Sequence, residues 1–167
     1  MVTVNIAYTA PINPAGAEPV LTKSQVWAGL QRKVRRAYEF VPVITSCEVL
    51  SEGKADDGDK VKIVREVVFS PDGPRPGGVA VKEVCVHYPP NRVDFQQEDG
   101  STITNLVSKG PEGELLMTYS FEWRHPDVEE GSAKAAELEE THMKGAKIAV
   151  QGSIDTIRRL VKAGEIQ

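Results

Sequence analysis

Five residues in the 167-residue chain could do chemistry: Arg65, Glu83, His87, Asn105 and Tyr119. Glu83 alternates onto one strand face with Val79, Val81, Cys85 and His87, while Lys82 lies opposite with Ala80, Val84 and Val86. Both faces are mixed, so the pleat alone leaves the inward one undecided. An inward Glu83 would meet a low-dielectric wall and need a cation; Arg65, among Val61, Ile63, Val67 and Phe69, is the natural one. That pair would anchor a ligand carboxylate or enol, or act as an acid and base with shifted pKa. Facing outward, it would be a surface cross-strand pair. His87, beside Tyr88 at a strand end, could work as an acid or base at a cavity mouth, or stand in solvent. An inward Tyr119 could orient or protonate a ligand oxygen. Asn105, polar within a β-rich run, faces either a ligand or the outside.

Other chemistries lack their motifs. No phosphate loop, dinucleotide fingerprint, His-Glu-x-x-His, nucleophile elbow or zinc-ribbon spacing occurs, so the reading calls for no cofactor. His87, His125 and His142 are not at ligand spacing, so no metal site is expected. The formal net charge of −4 argues against a nucleic-acid partner. Cys47 and Cys85 sit in apolar runs far apart and read as buried thiols. No window approaches a membrane span and no basic, apolar leader opens the chain, which points to the cytoplasm.

The elements that must position these residues follow from periodicity. Val2 to Tyr8 reads as a strand, followed by a loop from Pro11 to Pro19. Thr22 and Gln25 fit a capping box, with Leu21 as a hydrophobic staple, so a helix starts near Lys23. Val26, Trp27, Leu30 and Val34 supply its packed face; Gln31, Arg32, Lys33, Arg35 and Arg36 are expected in solvent. From Val43 the period becomes two, with turn residues near 56–58, 71–78, 89–91, 98–100 and 109–113. Strands are predicted at 43–51, 60–69, 79–88, 92–98, 101–108 and 114–124. In the last, Leu115, Met117, Tyr119, Phe121 and Trp123 share a face that needs a cover. A helix of about thirty residues after Pro126 provides it, through Ala136, Met143, Ala146, Val150, Ile154, Ile157 and Val161. Glu137, Glu139, Glu140 and His142 are placed on its wet side.

This order resembles the START-like (SRPBCC) superfamily, the helix-grip fold of birch-pollen-allergen-type proteins, over nearly the whole chain. The segments 21–30, 40–42 with 47–50, and 119–124 are similar to the AtaL-like family of bacteria and fungi, some members of which lie in secondary-metabolite gene clusters. The resemblance implies an α+β domain over 1–167: a curved antiparallel sheet of about seven strands around a long C-terminal helix, with a short helix after the first strand. It implies a cavity for a small hydrophobic ligand but carries over no catalytic residue.

The reading that follows is binding of a small hydrophobic metabolite between sheet and C-terminal helix. Phe95, Met117, Tyr119, Phe121, Trp123 and Met143 form the wall; Arg65, Glu83 and Tyr119 are the polar anchors, with Asn105 a further contact. The enzymatic alternative is a cofactor-free cyclase, isomerase or dehydratase acting on a polyketide-like or peptide-derived intermediate, with Glu83, His87 or Tyr119 moving one proton. A third reading is a partner-binding module that uses the basic helix Arg32 to Arg36 over a filled core.

Overall fold

Residues 1–71 and 78–167 are described by a computed structural model. Its elements run β1 (Val2–Pro11), α1 (Lys23–Arg35), a 3-10 turn (Ala37–Glu39), β2 (Ile44–Lys54), β3 (Val61–Phe69), β4 (Ala80–Tyr88), β5 (Arg92–Gln97), β6 (Thr102–Lys109), β7 (Leu115–His125) and α2 (Ala133–Lys162). The seven strands form one antiparallel sheet in the order β1-β7-β6-β5-β4-β3-β2. This is the expected helix-grip arrangement. β1 runs past Tyr8 because pairing with β7 continues to Leu116. Most of the turn expected between Pro71 and Gly78 falls on 72–77, outside the described residues. Among the described residues no helix is long and apolar enough to cross a membrane.

Local signals explain the element ends. The Thr22 hydroxyl accepts from the Gln25 amide and the Gln25 side chain accepts from the Thr22 amide, closing the capping box. Leu21 and Val26 join the same core cluster, as a staple requires. Asn13 holds the preceding loop by exchanging two 2.8 Å hydrogen bonds with the Leu21 backbone. The turn between β5 and β6 depends on Gly100, whose φ of +84° is a conformation that favours glycine.

The two helices share the inner face of the sheet. α2 lies on β1 and β7, whereas α1 reaches β2, β3 and β6 and meets α2. Ala146, Val150, Ser153, Ile154, Ile157 and Leu160 are the buried positions of α2. Ala136 and Met143 were expected in that stripe, but both are exposed, Met143 by 40%. Met143 has the right helical phase. Around the second half of α2, however, α1 covers that flank, whereas the first half packs through Leu138 and Ala146 with Val4 and Ile6 of β1, leaving the Met143 side open.

The crossing of α1 and α2 depends on Gly29. A Cβ at that position would overlap Ile157 Cγ1 and lie 2.6 Å from Ile157 Cδ1, and Ile157 is fully buried. Alanine would favour the helix by about 1 kcal/mol, but forcing a methyl into a packed core costs about 1–3 kcal/mol. Gly29→Ala is therefore expected to lower the denaturation midpoint. Combining it with Ile157→Ala should cost less than the sum of the two single changes in denaturant titrations.

Candidate functional site

Strand register sorts the inner face into rows. Arg65, Glu83 and Gln97 are successive cross-strand partners in one row. Ile63, Cys85, Phe95, Ile103, Phe121 and Ile6 form the next. His87, Val93, Asn105, Tyr119 and Tyr8 form a third, followed by Val107, Met117 and Ala10. Two rows carrying polar groups thus flank a row of apolar side chains. All four lie beneath α1 and α2.

Arg65 and Glu83 face inward and touch. Arg65 is 4% exposed and Glu83 3%. The guanidinium donates to Glu83 Oε2 from Nε at 2.8 Å and from Nη2 at 2.6 Å. Its Nη1 donates to the Lys33 and Val34 carbonyls, both at 2.9 Å, at the C-terminal end of α1. Gln97 Nε2 donates to the remaining Glu83 oxygen at 2.9 Å. Burial opposes the Arg65 charge, but the Glu83 carboxylate more than offsets it and keeps the guanidinium protonated. Both carboxylate oxygens and three guanidinium nitrogens are thus engaged in holding α1 to β3, β4 and β5.

Lys33 was expected in solvent. It is 6% exposed, because its side chain runs between α1 and the sheet. Its amine donates to Asn105 Oδ1 at 3.0 Å and lies 4.2 Å from the Tyr119 ring centroid and 5.9 Å from that of Phe95. Burial, followed by the Arg65 charge, pushes the amine down from 10.5 to about 7, with Glu83 and Cys85 pulling the other way. A signal was present in the sequence: Lys33 is three residues after Leu30 and seven after Val26, on the apolar side of the helix.

The remaining candidates divide between this cluster and other places. Asn105 and Tyr119 are fully buried and directly paired across β6 and β7. Burial pushes the Tyr119 phenol up, while Ser153 of α2 works against that shift. Among the described residues Asn105 Nδ2 has no hydrogen-bond partner, and the Tyr119 and Ser153 hydroxyls approach only each other. Phe95 and Met117 are buried beside them; Phe121 and Trp123 are half-buried and stack at 5.7 Å further along β7. His87 is 2% exposed rather than at an open strand end, because Trp27 packs edge-on at 5.9 Å. Burial, then the nearby Arg35 charge, holds it below its ordinary range. His142 also leaves its expected wet side: it is half-buried on Trp123, with its Nε2 2.9 Å from that of His125. Of the two thiols, Cys85 is buried and Cys47 half-buried.

The basic face of α1 is largely neutralised. Arg32 pairs with Glu39 and Glu165 at 2.6 and 2.7 Å, and Arg35 with Glu52 at 2.6 Å. A surface depression of about 480 Å³ lies elsewhere, on the outer side of β1, β6 and β7. Its lining mixes Asn5, Thr104, Ser120 and Glu122 with Ile6, Ala7 and Phe121, and it is open to solvent.

Residues 6–164 match the family described as AtaL, acetylaranotin biosynthesis cluster protein L. The chain belongs to the AtaL family. A relative of that description from Aspergillus terreus is 29% identical over 166 residues, covering 99% of this chain and 94% of the relative. Solved structures similar to this AtaL chain share its fold at low identity. The aromatase/cyclase Zhui from Streptomyces sp. R1128 superposes with a TM-score of 0.63 at 15% identity, covering 99% of this chain and 100% of Zhui. The di-domain aromatase/cyclase StfQ of the steffimycin pathway gives 0.66 at 13%, covering 98% of this chain, which spans only 52% of StfQ. A START superfamily protein from Mycobacterium smegmatis gives 0.57 at 8%, covering 95% of this chain and 98% of that one. This chain of the AtaL family thus has the START-like fold.

Proposed function

We propose that the chain is a single ligand-binding domain whose inner sheet face takes up a small, largely apolar metabolite of a secondary-metabolite pathway. The observation that carries this reading is the set Asn105, Tyr119 and Ser153. Asn105 accepts from the Lys33 amine and the Tyr119 ring lies against it, Ser153 approaches the Tyr119 hydroxyl, and Asn105 Nδ2 has no hydrogen-bond partner among the described residues, in a core shared with Phe95, Met117 and Val150. Buried polar atoms are rarely left unpaired without cause, and a few placed polar groups in an apolar wall are what a small-molecule site needs. Arg65 and Glu83 shape this site by seating α1; Phe121 and Trp123 extend the wall along β7. The relative's place in a biosynthetic cluster and the aromatase/cyclase neighbours agree with an aromatic or polyketide-like ligand.

A second reading, proton transfer without a cofactor, is favoured by Lys33. An amine near pH 7 is matched to acid and base work at neutral pH. The partner-module reading loses its motivation, since Arg32 and Arg35 are already in ion pairs.

Native mass spectrometry of freshly purified protein, followed by denaturing extraction, tests the binding reading. It is expected to show a co-purifying apolar compound, or one-to-one uptake of 1,8-dihydroxyanthraquinone that weakens at least about tenfold in Tyr119→Ala. A protein that emerges empty and ignores the probe would count against it.

A further inference from the structure

Lys33 has surroundings that an amine of purely structural use does not require. Tyr119 of β7 and Asn105 of β6 contact it; Phe95 of β5, Arg65 of β3, and Glu83 and Cys85 of β4 complete the enclosure. Among the described residues its one side-chain hydrogen-bond partner is an amide oxygen, and no carboxylate pairs with it directly, since Glu83 is taken by Arg65 and Gln97. A lysine amine becomes a nucleophile when it is desolvated and placed near another cation, because both favour the neutral form with its lone pair free. Burial and Arg65 supply those two conditions. Asn105 Nδ2 is a donor with no partner among the described residues, and the Tyr119 ring lies against the amine with its hydroxyl near Ser153.

We infer that Lys33 is a nucleophilic amine that condenses with the carbonyl of a β-dicarbonyl ligand, on the inner face where Asn105 and Tyr119 can bind its oxygens. The inference rests on the binding reading above. In the step, the Nζ lone pair forms a bond to the carbonyl carbon and an amine proton moves to the oxygen, giving a carbinolamine. The C–O bond then breaks, the second amine proton leaves with the oxygen as water, and a C=N bond remains. In a β-dicarbonyl, a proton shift from the central carbon to nitrogen turns this imine into a conjugated enaminone. One water is released and nothing is oxidised or reduced. Asn105 Nδ2 and Tyr119 Oη would hydrogen-bond the departing and the retained oxygen, the role that donors play at any site of developing oxygen charge. Carbon chains with ketones at alternate positions are the ligand class this chemistry selects.

Acetylacetone, the simplest β-diketone, is the probe. Intact wild-type protein is treated near neutral pH, digested and mapped by mass spectrometry. The expected product is acetylacetone less one water on Lys33, formed at least about tenfold faster than on exposed lysines such as Lys54, Lys134 and Lys144. It should be absent from Lys33→Arg, which keeps a cation but lacks the amine. An unmodified Lys33, or adducts spread evenly over the exposed lysines, would overturn the inference without needing any variant to fold. Native mass spectrometry with 1,8-dihydroxyanthraquinone runs in parallel. Uptake of that probe with an inert Lys33 sinks the amine chemistry and leaves the binding reading standing; failure of both sinks both.

Discussion

Arg65→Met is expected to cost about 3–5 kcal/mol of folding stability, because it strands the Glu83 carboxylate in a site that is 3% exposed. The same change removes the donors to the Lys33 and Val34 carbonyls, so the C-terminal turn of α1 loses its tie to the sheet. Whole domains are stable by only about 5–15 kcal/mol, so this one contact accounts for a large share. At roughly 2–4 °C per kcal/mol for a domain of this size, the melting midpoint should fall by about 10 °C. Adding Glu83→Leu should recover part of the loss, since an apolar pair in place of a buried ion pair is often tolerated. Recovery should be incomplete, because Gln97 then lacks one acceptor, the Lys33 carbonyl has lost its Arg65 donor, and the Val34 carbonyl keeps only the Cys47 thiol at 3.7 Å. Thermal melts of the single and double variants decide between two roles. A clip predicts a large stability loss and positive coupling. A free ligand anchor predicts near-native stability with lost binding.

How far the sequence could reveal this site depends on which signals are local. Period-two alternation placed the strands, and β7 exposes its inner residues Leu115, Met117 and Tyr119 with little ambiguity. The capping box at Thr22 is likewise a three-residue matter. The pairing of Arg65 with Glu83 could be suggested from facing strands, but its direction could not, because β4 is mixed on both faces. What settled it was long-range: α1 ends directly over the pair and offers its carbonyls. Lys33 was legible in spacing yet outweighed by its charge, since lysines are rarely buried. Met143 failed for the opposite reason. Its phase on α2 is correct, but coverage depends on where α1 stops, which a helical wheel does not contain. His142 needed the three-dimensional approach of α2 to the end of β7, where Trp123 and His125 receive it. Residues chosen by one element's pattern were placed well; those decided by where two elements meet were not.

Lys33→Met is expected to stabilise the folded protein at neutral pH and to remove a slope in its stability between pH 7 and 10.5. In the unfolded chain the amine titrates at 10.5; in the fold, at about 7. Between those values the unfolded chain holds a proton that the folded one has released, so stability climbs with pH at up to about 1.4 kcal/mol per unit. Read downward, the contribution is complete above 10.5, is lost as pH falls toward 7, and stays lost below. Two neighbours act in the other direction at high pH: burial pushes the Cys85 thiol up from 9.0 to about 12, and raises the Tyr119 phenol above its ordinary range. Their folded forms keep protons that the unfolded chain gives up, so they remove stability as pH rises through 9 and beyond. Both remain in the variant, and the difference between the two proteins isolates Lys33. Methionine has similar length, no charge and enough flexibility to fill the channel between Tyr119 and Phe95. Losing the hydrogen bond to Asn105 costs about 1 kcal/mol, less than the few kcal/mol gained by removing a buried amine. Urea titrations of both proteins at several pH values from 7 to 9 would show it; a wild-type curve flat over that range would mean the amine stays charged. An amine that weakens its own fold where a methionine would strengthen it is the pattern of a functional group, and the burial that penalises its charged form is what leaves a neutral lone pair for a carbonyl to meet.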